Sequence, residues 1–288
     1  MNISNPFQDK DFAQYQLNCH KAQAIEIVND QIIYVFHLFK KYTILYTDKT
    51  NPELKTISQK HNAVYTLIEN TNPKQNNQST NHKIKEIIPR HTRAIDLKQT
   101  ENQILSNMHS KGRYNIRLSK KHGIKIKESK DTKSFYKILQ KTAKRDNFYI
   151  NPLPHYQEMI NHLQPKGKAK LFLAYHPDQP NQPIAGIINT YIQNTATYYY
   201  GASDHDYRKY MAPYLLQWHA IKEAKSNNYQ IYDFLGIADP NQPKDPLQGV
   251  SSFKRKFGGQ KIQFEDSKII IHQPLLYSAL KIKKLLKI

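Results

Sequence analysis

The chain reads as an α/β (α+β) protein of mixed sheets with flanking helices, on three observations. Short β-type runs alternate with helical runs from end to end. Three strand-like runs in the second half are separated only by turn residues, the pattern of an antiparallel meander. A proline-started helix and one more buried-type strand then follow that meander.

Taken in order, residues 31–38 and 42–47 predict paired strands and 63–70 a further one, because Ile, Val and Tyr fill them and polar turns bound them. Residues 70–83 (NTNPKQNNQSTNHK) predict a loop, having no apolar side chain to bury. Residues 101–121 predict a basic amphipathic helix interrupted near Gly112. Ile104, Leu105, Met108, Ile116 and Ser119 fall toward one face, and Lys111, Arg113, Arg117, Lys120 and Lys121 load the rest. Helices are predicted over 132–146 and 156–163, with Pro152 and Pro154 punctuating the chain between them. The meander strands are 170–176, 184–192 and 197–201. Pro213 sits at a favourable first helical position, Tyr214, Leu215, Trp218, Ile221 and Ala224 make an apolar stripe ending near Asn227, and 230–235 is a strand. A meander, a helix, and a strand beside the meander is the order of an acetyltransferase-like core.

The 288 residues suffice for one large domain or two of about 140, either able to bury a core without metals or disulfides. Lys plus Arg outnumber Asp plus Glu 43 to 23, a formal charge of +20. Such a field attracts phosphates, nucleic acid or anionic lipid; equally, it arises where a composition rich in Lys, Asn and Gln simply fills solvated faces. Cys19 is the single cysteine, which excludes an internal disulfide, a thiolate metal cluster and a Cys-x-x-Cys redox pair. Residues 1–12 carry Asp9 and Asp11 and no apolar run, and no 18-residue apolar stretch occurs, so neither a signal peptide nor a membrane span is expected and a cytoplasmic location is.

Several chemistries find no motif. All nine glycines lie at or beyond Gly112, so the first 111 residues hold no glycine-cradled phosphate loop. The stretch after the meander, 203–212 (SDHDYRKYMA), also lacks glycine, which disfavours a standard coenzyme A transferase. The 13 histidines form no His-Glu-x-x-His or deaminase-type arrangement, and no Gly-x-Ser-x-Gly elbow occurs. Catalysis by positioning and electrostatics remains, as in transfer from an activated ester to an amine.

Residues 198–236 (YYYGASDHDYRKYMAPYLLQWHAIKEAKSNNYQIYDFLG), followed by 249–259 (GVSSFKRKFGG), resemble the signature region of the FemX, FemA and FemB peptidyl aminoacyltransferases. Ile95-Asp96-Leu97, residues 113–117 (RYNIR), 142–148 (TAKRDNF), 171–175 (LFLAY) and Ile184-Ala185-Gly186 agree in the same order, so the resemblance covers roughly residues 8–277 in patches. It implies two acetyltransferase-like (GNAT-type) subdomains, the first from 1–127 plus 267–288 and the second from 128–266. It implies transfer of an amino acid from aminoacyl-tRNA to the stem peptide of a peptidoglycan precursor, UDP-MurNAc-pentapeptide or lipid II, with no metal or organic cofactor. An acyltransferase of the same fold acting on another amine, and a non-catalytic RNA-binding protein, stand as alternatives.

By the same resemblance, Lys254 would stabilise the oxyanion and Phe253 stack on the terminal adenosine, unless Lys254, Arg255 and Lys256 are a solvated basic helix turn. Asp96 matches a carboxylate that orients the attacking amine, or else caps the helix after it. Arg208 is assigned to a substrate phosphate, with Tyr200 and Tyr207 as pocket walls and Arg145 and Tyr156 in the precursor-binding region. Lys40 and Lys41 stand where relatives face the precursor phosphates. The chain departs from the family in having Thr47-Asp48-Lys49-Thr50 for Pro-Arg-Gly-Pro, and no arginine beside residues 151–154. Arg113, Arg117 and Lys256 are assigned to tRNA, or to a solvated helix face. The basic ending 277–288 either docks on the protein or meets the inner face of a membrane.

Overall fold

The computed structural model describes residues 1–74 and 86–285, with side chains up to residue 280. In chain order the elements are α1 (Lys10–Asn18), β1 (Ala24–Val28), β2 (Gln31–Phe39), β3 (Tyr42–Thr47), α2 (Leu54–Lys60), β4 (Ala63–Ile68), β5 (His91–Asp96), α3 (Glu101–Ser106) and α4 (Ser110–Lys121). They continue with β6 (Lys125–Ser129), α5 (Thr132–Asp146), α6 (Leu153–Leu163), β7 (Ala169–His176), β8 (Gln179–Ile192), β9 (Thr195–Ser203), α7 (Ala212–Ser226), β10 (Ile231–Gly236), α8 (Gln248–Arg255), β11 (Gln260–Gln263), β12 (Lys268–Ile271) and α9 (Pro274–Leu285). Contacts divide the chain into a larger unit, chiefly residues 89–263, and a smaller one from 4–88 and 264–288.

The smaller unit holds a five-stranded sheet in the order β1-β2-β3-β4-β12. All its pairs are antiparallel except β3–β4, joined across α2. Strand β2 is apolar without alternation because both its faces are covered. Ile33 and Val35 join Leu45 under Leu54 and Ile57 of α2. Tyr34, on the other face, meets Phe7 at a ring distance of 5.3 Å, and Phe7 meets Phe12 of α1 at the same distance. Helix α9 sets the Tyr277 ring edge-on to Tyr65 at 5.4 Å. No described helix is long and apolar enough to cross a membrane.

In the larger unit seven strands run β11-β5-β10-β9-β8-β7-β6. The meander β6 to β9 is antiparallel, and β10 lies parallel to β9 after the α7 crossover, which is the predicted order. Successive residues of β8 point to opposite faces. Ile187 joins the core cluster that includes Leu216 and Ala220 of α7, whereas Gly186 lies so close to Phe135 of α5 that a Cβ would stand 2.9 Å from its ring. Helices α5 and α7 therefore cover opposite sides of the sheet.

Four expectations are corrected. The larger unit begins near residue 89, not 128, because β5 is hydrogen-bonded between β10 and β11, and β6 pairs with β7. The helix expected over 101–121 breaks at residues 107–109, ahead of Gly112. There Arg113 donates to the carbonyls of Ser106 (3.2 Å) and Met108, which ends α3, while His109 caps α4. Helix α6 starts three residues early, since Pro154 fits its first turn. Strand β8 runs back through Pro183 and Pro180, so the turn after β7 is short. Of the loop expected over 70–83, and of the ending 277–288, residues 75–83 and 286–288 lie outside the described residues.

Gly112 is inside α4, where glycine ordinarily costs ~1 kcal/mol relative to alanine. Here a Cβ would stand 2.3 Å from the Lys256 carbonyl oxygen, so the helix can lie against α8's end only without one. Gly112→Ala is accordingly expected to destabilise the larger unit by about 2 kcal/mol, lowering its Tm by about 5 °C in a melt followed by the fluorescence of Trp218.

Candidate active site

The pairing of β9 with β10 covers only Thr195–Thr197 against Ile231–Asp233, although both strands continue. Each is distorted just beyond that point. Tyr198 and Tyr200 face the adjacent residues Asn189 and Ile188, so Tyr199 is an extra residue in β9. In β10 the register against β5 slips between Asp233 and Gly236, and Leu235 takes a left-handed φ of 58°, a conformation that branched side chains seldom adopt. Two bulges thus part the strands and leave the Leu235 and Gly236 carbonyls without a sheet partner on β9.

Lys254 fills that role. Its ammonium donates to Gly236 O at 2.6 Å and Leu235 O at 3.3 Å, and it stands 5.7 Å over the ring of Tyr198 on β9. Lys254 is only 6% exposed. An ammonium has three N–H donors, so two are spent on β10 and one is left. Burial holds its pKa well below the usual lysine range, at about 8, with Asp233 acting in the opposite direction. Asp233 is itself buried; its carboxylate accepts from Thr92 Oγ1 on β5 and from Leu235 N at 3.0 Å, and burial raises its pKa. Burial also pushes the Tyr198 phenol up to about 12, so it stays neutral.

Helix α8 is clamped so that Lys254 points inward. At its start Ser251 Oγ accepts from Ala238 N and donates to Leu247 O, both at 2.7 Å. At its end Gly258 and Gly259 turn with φ of 77° and 73°, and Arg93 of β5 donates to both their carbonyls. A Cβ on Gly259 would lie 2.5 Å from Ala94 O, so the turn requires glycine. Phe253 lies edge-on to Tyr214 (5.1 Å) and Phe257 (5.2 Å), and Lys256 donates to Tyr214 Oη at 3.0 Å.

The other expected residues fall into separate places. Tyr200 and Tyr156 meet at a ring distance of 5.0 Å, His155 bonds Tyr200 Oη at 2.9 Å, and Arg145 reaches Ser203 O at 3.3 Å while pairing with Asp146. Tyr156, Tyr200 and Arg145 therefore gather, with His155, at the far end of β9. Tyr207 bonds Gln179 at 2.6 Å, and Arg208 is exposed beside it. Asp96 does not join Lys254: it ends β5, four residues beyond Thr92, and its carboxylate accepts from Lys98 N at 2.9 Å, a turn role. Arg113 is occupied with the end of α3, whereas Arg117 is exposed. Lys40 and Lys41 form the β2–β3 turn of the smaller unit, Lys40 at φ 47° and Lys41 5.9 Å over Tyr42. The loop before α7 carries a buried carboxylate, Asp204, paired with Lys141 at 2.5 Å.

Sequence reasoning passed over Asp233 and Thr92 as site residues. The signal was an aspartate inside the buried run IYDFLG, since an isolated carboxylate is rarely placed there without a task.

Comparisons with known proteins agree with this fold. The model of the FemAB family matches residues 38–178 and 176–284. The chain is 22% identical to a Lipid II:glycine glycyltransferase of Staphylococcus epidermidis over 68% of this chain and 62% of that protein, so it spans under two thirds of that relative's length. It is 37% identical to the aminoacyltransferase FemB of Staphylococcus epidermidis over 60 residues, 21% of this chain and 14% of the other. The crystal structure of FemX superposes with a TM-score of 0.83 over 96% of this chain and 94% of that one, at 14% identity. L-PGS from Bacillus licheniformis superposes at 0.54 and 7% identity over 99% and 98%.

The Lys254 environment makes a direct prediction. Between pH 8 and 10.5 the unfolded chain keeps a proton that the folded chain has released, so this group makes stability rise with pH in that window. In lysine-labelled NMR one side chain is expected to titrate near pH 8 while surface lysines titrate near ~10.4, and Asp233→Asn should move that transition lower. A uniform set of titrations would contradict the buried ammonium.

Proposed function

This chain belongs to the FemAB family, and from that premise we propose that it transfers an amino acid from aminoacyl-tRNA to the stem peptide of a peptidoglycan precursor, UDP-MurNAc-pentapeptide or lipid II, building the interpeptide bridge. The observation that carries the reading is the buried Lys254 ammonium with one N–H left, set where β9 and β10 part. One group of relatives is named for glycyl transfer to lipid II, and another as the aminoacyltransferase FemB.

The aminoacyl ester is already activated, so the chemistry needs alignment and charge stabilisation. The acceptor amine attacks the ester carbonyl carbon, a C–N bond forms, and the carbonyl oxygen becomes an oxyanion. The free N–H of Lys254 is the donor for that oxygen, in a site screened from water where such a contact is strongest. Collapse breaks the C–O bond to the ribose, whose oxygen takes up a proton as the amine loses one. At neutral pH a group with a pKa of about 8 is mostly charged and still able to give up its proton, which suits both steps. Asp233 favours the charged form, and the face of Tyr198 stabilises it without competing for its hydrogens.

Asp204 weighs against coenzyme A as the donor. An acyl-CoA enzyme of this fold grips pyrophosphate at the loop before the helix that follows the meander, whereas here a buried carboxylate occupies that loop.

The test supplies charged tRNA and a muramyl pentapeptide precursor and follows labelled amino acid into the peptide. Lys254→Ala is expected to lower the transfer rate by about 10²-fold or more and, because it strips two buried carbonyls of their donor, to lower the Tm as well, so the rates are compared at a temperature where circular dichroism shows both proteins folded. Undiminished turnover in that variant would remove Lys254 from the mechanism.

A further inference from the structure

Away from Lys254, a cavity of about 250 Å³ lies between α4, β6 and α7. Its floor is apolar, made by Ile124, Leu215 and the nearly buried Trp218, and Lys120, Lys222 and His219 surround it. Neither lysine has a hydrogen-bond or ion-pair partner among the described residues. The nearby acidic groups Glu223 and Glu128 both turn to Lys170, which bonds Glu223 and stands 3.6 Å from Glu128. Burial lowers the His219 pKa, and Lys222 lowers it further, so the imidazole is neutral at pH 7 and offers one donor.

Two unpaired ammonium groups and an imidazole over an apolar floor recognise an anion attached to a less polar body. The volume falls below the ~300–1,000 Å³ of pockets that enclose a whole ligand, so a phosphate with part of its sugar fits better than a complete small molecule. The neighbouring surface continues the charge, with Arg117 and Lys121 exposed on α4. Both helices that frame the cavity also reach α8: Gly112 of α4 abuts the Lys256 carbonyl, and Tyr214 of α7 receives the Lys256 ammonium. Lys120 and Lys222 each lie eight residues further along, roughly 12 Å at 1.5 Å per residue. Lys256 and the pair of Lys120 and Lys222 therefore stand at two places along the same two helices, a spacing suited to a strand carrying repeated phosphates.

We propose that this cavity is a phosphate-binding pocket for the ribose-phosphate strand of the donor RNA, held by Lys120 and Lys222 a fixed distance from the Lys256 end of α8. It rests on the RNA donor of the function proposed above and adds a second grip remote from the reacting ester. The grip explains the unpaired lysines: their charge is satisfied by the ligand instead of by a carboxylate of the chain.

Trp218 is the single tryptophan of the chain and lines the cavity, so its fluorescence responds to a ligand bound there. Titration with a single-stranded oligoribonucleotide should change it saturably, and inorganic phosphate or anionic phospholipid vesicles at the same phosphate concentration should not. The Lys120→Gln/Lys222→Gln double variant should bind deacylated tRNA about 10-fold more weakly at low salt, with a log K against log salt slope shallower by about one. Lys133→Gln, which removes a charge on α5, should stay within about twofold. If the unsubstituted protein transfers amino acid but the double variant binds tRNA as tightly and with the same slope, the pocket proposal is overturned and the function stands. A response to phosphate or vesicles without one to RNA also overturns it. If the unsubstituted protein neither binds tRNA nor transfers, both fall.

Discussion

The larger unit turns on one contact: an ammonium group held against two backbone carbonyls that the sheet has released. A parallel pair of strands ordinarily continues its ladder, and each carbonyl left unpaired in the interior costs of order 1–3 kcal/mol. Here bulges at Tyr199 and around Leu235 interrupt the ladder, and Lys254 supplies the missing donors to Leu235 and Gly236. The same contact therefore repairs the strand and carries a positive charge into the gap. A buried cation is itself unfavourable, which is why its pKa falls to about 8 despite Asp233 nearby.

Everything that fixes α8 serves this placement. Ser251 ties its start to Ala238, Arg93 gathers the carbonyls of the Gly258-Gly259 turn, and Gly112 lets α4 rest against Lys256. Glycine is required at these close approaches for lack of space, so three of the nine glycines report on the position of one lysine. Rigidity of this kind is what a preorganised oxyanion donor needs, because the cost of orienting it is met during folding.

Much of the fold was legible because periodicity and turn chemistry are local. The meander, the helix begun by Pro213 and the strand after it appear where Tyr, Ile and proline patterns place them. Strand β6 was not legible: Lys-Ile-Lys-Glu-Ser is an exposed sheet edge, whose charges guard against pairing and imitate a solvated run. Strand β5 was missed for a different reason, since its neighbours β10 and β11 lie more than 130 residues away and the domain boundary depends on them. At the site, Lys254 was found by resemblance, but its helical face was also readable. Val250, Phe253, Lys254 and Phe257 follow the spacing of a buried stripe, which puts the lysine inward. Asp96 stayed open in the sequence because a carboxylate at a strand end before Thr100 fits a turn as well as a catalyst, and the structure adds that it accepts from Lys98 N.

Transfer by this route depends on where the Lys254 ammonium points when substrate is bound. A crystal structure with a hydrolysis-resistant aminoacyl-RNA analogue, its ester replaced by an amide, measures this directly. The carbonyl oxygen of the analogue is expected within about 3 Å of Lys254 Nζ, between β9 and β10. A carbonyl seated elsewhere, with Lys254 still closed over Gly236 and no path to it, would contradict the assignment.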